Sequence, residues 1–236
     1  MAHSHDLHPG HRSVTGGLAR ASVFGVSDGL VSNVSLILGF AGTGVDNTVV
    51  RLAGLAGAVA GAISMAAGEW VSITSQNDLI KRELRIERRE LQHNRDEETE
   101  ELAEIYASRG IDPDRAAAAA AEVMRDADVA LTVHAREELG VDPDDLPSAG
   151  RAAALSFVCF IVGALLPLIP FYVTSGSTAA WLALAIGVVM AGLVGGLVAR
   201  FAERPLWFGV LRQVAIVLVA CGITYAIGEL VGVNLA

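Results

Sequence analysis

The side chains best equipped for chemistry in this chain are carboxylates, and they are concentrated. Twenty of the 26 acidic residues fall between Asp78 and Asp145. Placed on a helical wheel at about 100° per residue, Glu83, Glu90, Glu98 and Glu101 share a narrow arc with Glu87, provided the helix is continuous. Lys81, Arg82, Arg85, Arg88, Arg89 and Arg95 fall on the opposite side. A solvated helix laced by i,i+4 ion pairs mixes the signs on one face; here they are segregated. Stacked like charges cost a few tenths of a kcal/mol per pair, so this face calls for counter-charge. Divalent cations supply it economically, and a basic partner surface is the other reading. Carboxylate oxygens suit Fe²⁺, Mn²⁺, Mg²⁺ or Ca²⁺. Further on, His134 and Glu138 stand at i and i+4, where one metal ion could take both. The N-terminal tail adds His3, His5, His8 and His11, a tract that binds metal weakly or is simply solvated.

A second set of polar groups sits inside apolar sequence. Asp28 lies in SVFGVSDGLVSNVSLILGF, with Ser32 and Ser35 at i+4 and i+7 on its helix face and Asn33 nearby. A carboxylate within a membrane costs about 2.5–3.5 kcal/mol on insertion scales, and it marks a functional site by default. The structural alternative is an interfacial Asp that caps a helix or pairs with an Arg. Met65 and Glu69 stand at i and i+4 in AGAISMAAGEWVS. Met65 alone reads as core filler; beside Asp28 and Glu69 it is a soft thioether donor that prefers transition metals.

The elements that carry these groups follow from composition. The chain has 236 residues, 53% of them hydrophobic, and a mean hydropathy of +0.49. A bilayer core of ~30 Å needs ~20 apolar residues of helix. Five stretches qualify, at roughly 21–43, 51–73, 152–174, 178–200 and 207–232. None shows period-2 alternation, so they read as helices and not as barrel strands. The expected fold is an all-α integral membrane protein: five transmembrane helices, with a helical cytoplasmic insert between the second and third. The expected boundaries are a His-containing cytoplasmic tail over 1–20, transmembrane helices 1–2 over 21–75, a metal-binding insert over 76–148 and transmembrane helices 3–5 over 149–236. No Pro or Gly lies between Gly68 and Arg109, which predicts one helix leaving the bilayer and continuing into water. Gly110 should end it and Asp112-Pro113 should start the next, which the run from Ala116 to Leu139 continues to Gly140. Pro167 and Pro170 should break the third span, and Gly192 and Gly196 form a GxxxG contact pattern in the fourth.

Basic residues set topology. Arg12 and Arg20 precede the first span, ten Lys and Arg fall between Lys81 and Arg136 with Arg151 just beyond, and Arg200, Arg204 and Arg212 lie around the last turn; only Arg51 falls on the other side. That alternation places the N-terminus and insert in the cytoplasm and the C-terminus outside, in the cell (inner or plasma) membrane. No cleavable signal peptide is evident. Cys159 and Cys221 lie within apolar spans and read as packing residues. A net charge of −9 concentrated in the insert argues against nucleic acid as a partner.

The stretches GVSDGLVSNVSLILGF, AGAISMAAGEWVS, ELRIERRELQHNRDEETEEL, REELGVDP and ALLPLIPF, in this order around a charged insert, resemble the vacuolar iron transporter family, which includes bacterial members. The resemblance covers nearly the whole chain from Arg20. It implies a five-span homodimer that exports cytosolic Fe²⁺, often also Mn²⁺, in exchange for protons, along a pathway between the two copies of the first span. By position it makes Asp28 and Met65 intramembrane metal-site residues. It makes Glu87, Glu90, Glu98, Glu101 and Glu138 carboxylates of a cytoplasmic metal-binding domain. Where the family can have a Met four residues before the last of these, this chain has His134, an imidazole that still suits Fe²⁺ and Mn²⁺. Some members also carry a carboxylate at the cytoplasmic start of span one; HRSVTGGLAR has none.

The expectation is a metal/proton antiporter with Fe²⁺ or Mn²⁺ as the bound and transported ion, no organic cofactor and no enzymatic activity. A membrane-anchored metal buffer or sensor is the alternative. It would need the glutamates but not Asp28 and Glu69. A di-iron oxidase would want paired Glu-x-x-His motifs inside a bundle, and Glu90-Leu91-Gln92-His93 has that spacing once only.

Overall fold

The computed structural model describes residues 17–235, with side chains over 18–232; His3, His5, His8 and His11 lie outside the described residues. Every regular element among them is helical. In chain order these are α1 (Gly17–Gly42), α2 (Asn47–His93), α3 (Arg95–Ser108), α4 (Pro113–Val123), α5 (Ala127–Glu137), α6 (Ala149–Leu165), a 3-10 turn (Leu166–Leu168), α7 (Pro170–Val173), α8 (Gly176–Phe201) and α9 (Leu206–Leu235). Among the described residues five helices are long and apolar enough to cross a membrane: α1, α2, α6 with its 3-10 turn, α8 and α9. The chain divides into two compact units. One is made of residues up to Trp70 and from Ala149, the other of Val71–Ser148.

In the first unit α1 is the hub. Leu30, Val34 and Leu38 are buried against Ala191 of α8 and Val217 and Cys221 of α9, while Ile37 packs with Val50, Leu168 and Phe171. Lipid offers no hydrophobic drive for helices to associate, so close packing of small residues has to do it. On α1, a Cβ at Gly25 or Gly29 would meet the α6 backbone at Ser156–Phe160, and one at Gly163 of α6 would meet the Val26 carbonyl. The α1–α9 contact is equally tight at Gly39 and Gly228. α8 buries a small residue every fourth position, at Ala179, Ala183, Gly187, Ala191, Gly195 and Ala199, and leaves Leu182, Val189, Leu193 and Leu197 outside. Its tightest glycine is Gly195, where an added Cβ would strike the Gly209 carbonyl. Gly192 and Gly196, singled out by their spacing, would meet only side-chain atoms of Val210 (3.7 and 3.4 Å) and, for Gly192, of Val214 at 4.0 Å. α6 stops at Leu165 because Pro167 and Pro170 lack the N–H groups an α-helix would use there.

In the second unit the long helix does not run through. α2 ends at His93, Asn94 leaves helical geometry at φ −122°, ψ 36°, and α3 starts anew. Neither Pro nor Gly causes the break. Asn94 Nδ2 donates to Glu90 Oε2 (2.7 Å), one turn back along α2. Asp96, Glu97 and Glu98 then occupy the first turn of α3, where the helix dipole favours negative charge. Arg95 donates to the Met124 carbonyl, which ties the corner to the end of α4. The Ala-rich run is likewise cut in two: Asp126 accepts from the backbone N–H of Asp128 and Val129 (3.0 and 3.1 Å) and starts α5. Gly110 (φ +91°) terminates α3, and Asp112 caps α4 with Pro113 at its first position. Leu91, Met124, Ala130 and Leu131 form the core of this unit.

Candidate functional site

The break at Asn94 folds the acidic sequence back on itself. Glu87 from α2, Glu98 from α3, and His134 and Glu138 from α5 and its C-terminal cap bring one ligand atom each within 4.8 Å of one another. The imidazole is fully buried. Its Nδ1 faces Glu138 Oε1 at 2.6 Å, Glu87 Oε1 at 3.2 Å and Glu98 Oε2 at 3.7 Å. The three carboxylate side chains are only 13, 12 and 21% exposed for Glu87, Glu98 and Glu138. Among the described residues, His134 Nε2 has no hydrogen-bond partner, and Glu87 Oε1 has His134 Nδ1 as its near neighbour.

The electrostatics follow from that crowding. Burial, then the charges of Glu87 and Glu101, push Glu98 up to about 7. Burial and the Glu87 charge also raise Glu138, against the opposing pull of His134. Burial lowers the His134 value, but hydrogen bonds to Glu87 and Glu138 and their charges outweigh it and raise it. Three acids and one imidazole therefore share fewer negative charges than they have carboxyls near neutral pH. A divalent cation would displace the shared protons and take two or three oxygens and a nitrogen, a donor set that suits Fe²⁺ or Mn²⁺.

Not every glutamate of the wheel reaches this point. Glu90 Oε2 is engaged by Asn94. Glu101 is exposed and outside the ligating group, acting on Glu98 and Glu138 through its charge. Glu83 pairs with Arg82. The opposite, basic face is partly used as well: Arg88 lies 3.7 Å from Asp128. The i,i+4 pair His134–Glu138 contacts as its spacing suggests.

The first unit holds a recess of about 300 Å³ between α1 and α2, lined by Asp28, Ser32, Asn33, Gly57, Ser64 and Met65 among others. Asp28 and Met65 therefore share one opening, and Asp28 is exposed on the single chain. Ser32 Oγ donates to the Asp28 carbonyl (2.5 Å). Ser35, assigned by the wheel to the same face, is buried against Cys221 Sγ at 3.8 Å. Glu69 is not among the lining residues: its Oε1 pairs with Arg20 at 3.3 Å. Asn33 and Ser64 do line the recess, although Asn33 lies about 140° from Asp28 on the wheel. Only the positions of neighbouring helices bring it in, a signal absent from the periodicity of α1.

The sequence model of the VIT family matches residues 19–229. "Vacuolar iron transporter 1" of Oryza sativa subsp. japonica is 29% identical over 232 residues, 98% of this chain and 92% of that protein. "Vacuolar iron transporter" of Acanthamoeba castellanii is 34% identical over 226 residues, covering 93% and 82%. "Vacuolar iron transporter 1" of Eucalyptus grandis is 32% identical over 191 residues, covering 81% and 77%. With five helices able to span a membrane, an acidic helical unit after the second of them, and similarity along almost its entire length, the chain belongs to the VIT family.

Proposed function

We propose that this protein moves Fe²⁺, with Mn²⁺ as a second substrate, out of the cytoplasm in exchange for protons. The observation that carries the reading is the convergence of Glu87, Glu98 and Glu138 on a fully buried His134, which only a cation or shared protons make tolerable. The cluster captures the ion and gives up its protons as it does so. Asp28 and Met65 receive the ion in the recess, one hard donor and one soft, a combination that suits transition metals better than Mg²⁺ or Ca²⁺. Glu69, paired with Arg20, stands one helical turn from Met65, and we assign it to the same pathway. The distribution of Lys and Arg supports an insert on the cytoplasmic side. A carboxylate exposed on the single chain within a membrane helix supports a homodimer, in which a second copy covers Asp28.

Reconstitution into liposomes with an imposed pH gradient tests the reading. Fe²⁺ and Mn²⁺ should enter faster than Zn²⁺, with proton movement in the opposite direction. Asp28→Ala should abolish the flux, and undiminished flux in that variant refutes the pathway. Binding without flux in the parent protein would leave a membrane-anchored metal buffer.

A further inference from the structure

Asn33 is 2% exposed and lies on the wall of the recess that holds Asp28 and Met65. Its Nδ2 donates to the Ala164 carbonyl at 2.6 Å. That carbonyl has no hydrogen to give, so the amide cannot turn round without setting oxygen against oxygen. The clamp therefore presents Oδ1, and not the NH₂ group, to the other side. No donor among the described residues reaches Oδ1. A buried polar atom left without a partner costs about 1–3 kcal/mol, more than a packing residue of this size would justify. Across from Oδ1 stands Gly57, also in the recess wall, where an added Cβ would press on it at 3.1 Å, so only the absence of a side chain at Gly57 leaves the oxygen uncovered by one. The residues that line this recess thus include a carboxylate, a thioether and an amide whose oxygen has no hydrogen-bond partner among the described residues.

We infer that Asn33 Oδ1 is a third protein ligand of the divalent cation in the membrane recess, acting with Asp28 and Met65. The inference rests on the transport reading for the identity of the ion, but not on transport itself. A neutral carbonyl oxygen favours Mn²⁺ and Fe²⁺ over softer ions without adding a charge that would have to be buried. It offsets the preference of Met65 for soft metals, so Asn33 sets selectivity as well as affinity.

The test uses the full chain with the insert silenced by Glu87→Gln, Glu98→Gln, His134→Ala and Glu138→Gln, so that bound Mn²⁺ reports the recess. Electron paramagnetic resonance measures free Mn²⁺, and competition with Cd²⁺ gives the Mn²⁺/Cd²⁺ affinity ratio. Asn33→Ala should weaken Mn²⁺ binding at least about tenfold, the low end of what removing a group that supports a metal costs. Cd²⁺ binding should fall much less. Asn33→Cys, a second variant of similar bulk, should turn the ratio towards Cd²⁺ because sulfur replaces oxygen. A packing role alone would lower both affinities together and leave the ratio unmoved in both variants. That outcome, with Asp28→Ala still abolishing Mn²⁺ binding, overturns the inference. Mn²⁺ binding that depends on Asp28 and Asn33 in a protein that carries no ion across liposomes would instead overturn the transport reading and leave the ligand assignment standing.

Discussion

Replacing Glu98 by Gln should make the metal-free insert more stable while making it a poorer metal binder. Glu98 is pushed from 4.5 to about 7 by burial and by the neighbouring charges of Glu87 and Glu101. Its folded-state value lies above the unfolded one, so between these pH values the folded chain keeps a proton that the unfolded chain has released. Stability therefore falls as pH rises through that window. At about 1.4 kcal/mol per pH unit, the displacement corresponds to about 3 kcal/mol by pH 8. The side chain is only 12% exposed, so solvent screens little of it. Gln fills nearly the same volume and carries no charge. Mass-spectrometric hydrogen exchange on the full chain, in chelator and corrected for intrinsic rates, should show protection across α3 raised up to about a hundredfold at pH 8. The gain should shrink to a few-fold at pH 5, near the unfolded value, and vanish below about pH 4, where Glu98 is protonated in both states. Calorimetric titration of the same variant with Mn²⁺ should show weakened binding. Equal or lower protection in Glu98→Gln at pH 8, or a gain of the same size at pH 5, would refute the reasoning.

Three further outcomes follow from the geometry. Mn²⁺ binding by the insert should weaken as pH falls from 8 to 6, because Glu98 and His134, both raised, must lose protons before they ligate; titrations in buffers of different ionisation enthalpy will count the protons released. Asp126→Ala removes the cap of α5 at a cost of about 1 kcal/mol, seen as faster exchange at Val129–Leu131, and it loosens His134 and Glu138 enough to lower Mn²⁺ affinity. Gly29→Ala drives a methyl group into the Phe160 carbonyl and should lower the melting temperature in detergent, whereas Gly68→Ala, with open space around it, should leave it unchanged.

Hydropathy alone reveals the five spans, because a bilayer demands some twenty apolar residues from each. Local chemistry reveals Pro167, Pro170, Gly110 and Asp112-Pro113, since each acts within one turn of its own position. The interruption at Asn94 is hidden because Asn is a weak helix breaker, and a tertiary contact accompanies it: Arg95 is anchored at the Met124 carbonyl. A wheel drawn through it places Glu87 and Glu98 on one face. The structure does bring these two together, but by a fold between two helices and with a residue from a third. Glu90 and Glu101, equally well placed on the wheel, stay outside the ligating group for the same reason. Asn33 and Gly195 show the same limit in the first unit: their neighbours come from other helices, and no period within α1 or α8 encodes them.

The glycine seams bear on how such a molecule could change shape. α1 meets α6 and α9, and α8 meets α9, main chain against main chain at Gly29, Gly163, Gly39, Gly228, Gly195 and Gly209. Surfaces fitted that closely have no slack: sliding one helix by a single residue would drive side chains into carbonyls. α2 is held differently within this unit. Gly54, Gly57 and Gly61 abut the side chains of Ile37, Leu36, Leu168 and Phe160, which can change rotamer. Any stroke that widens or narrows the opening beside Asp28 thus falls to α2 as the moving jaw, with the four seamed helices as the anvil.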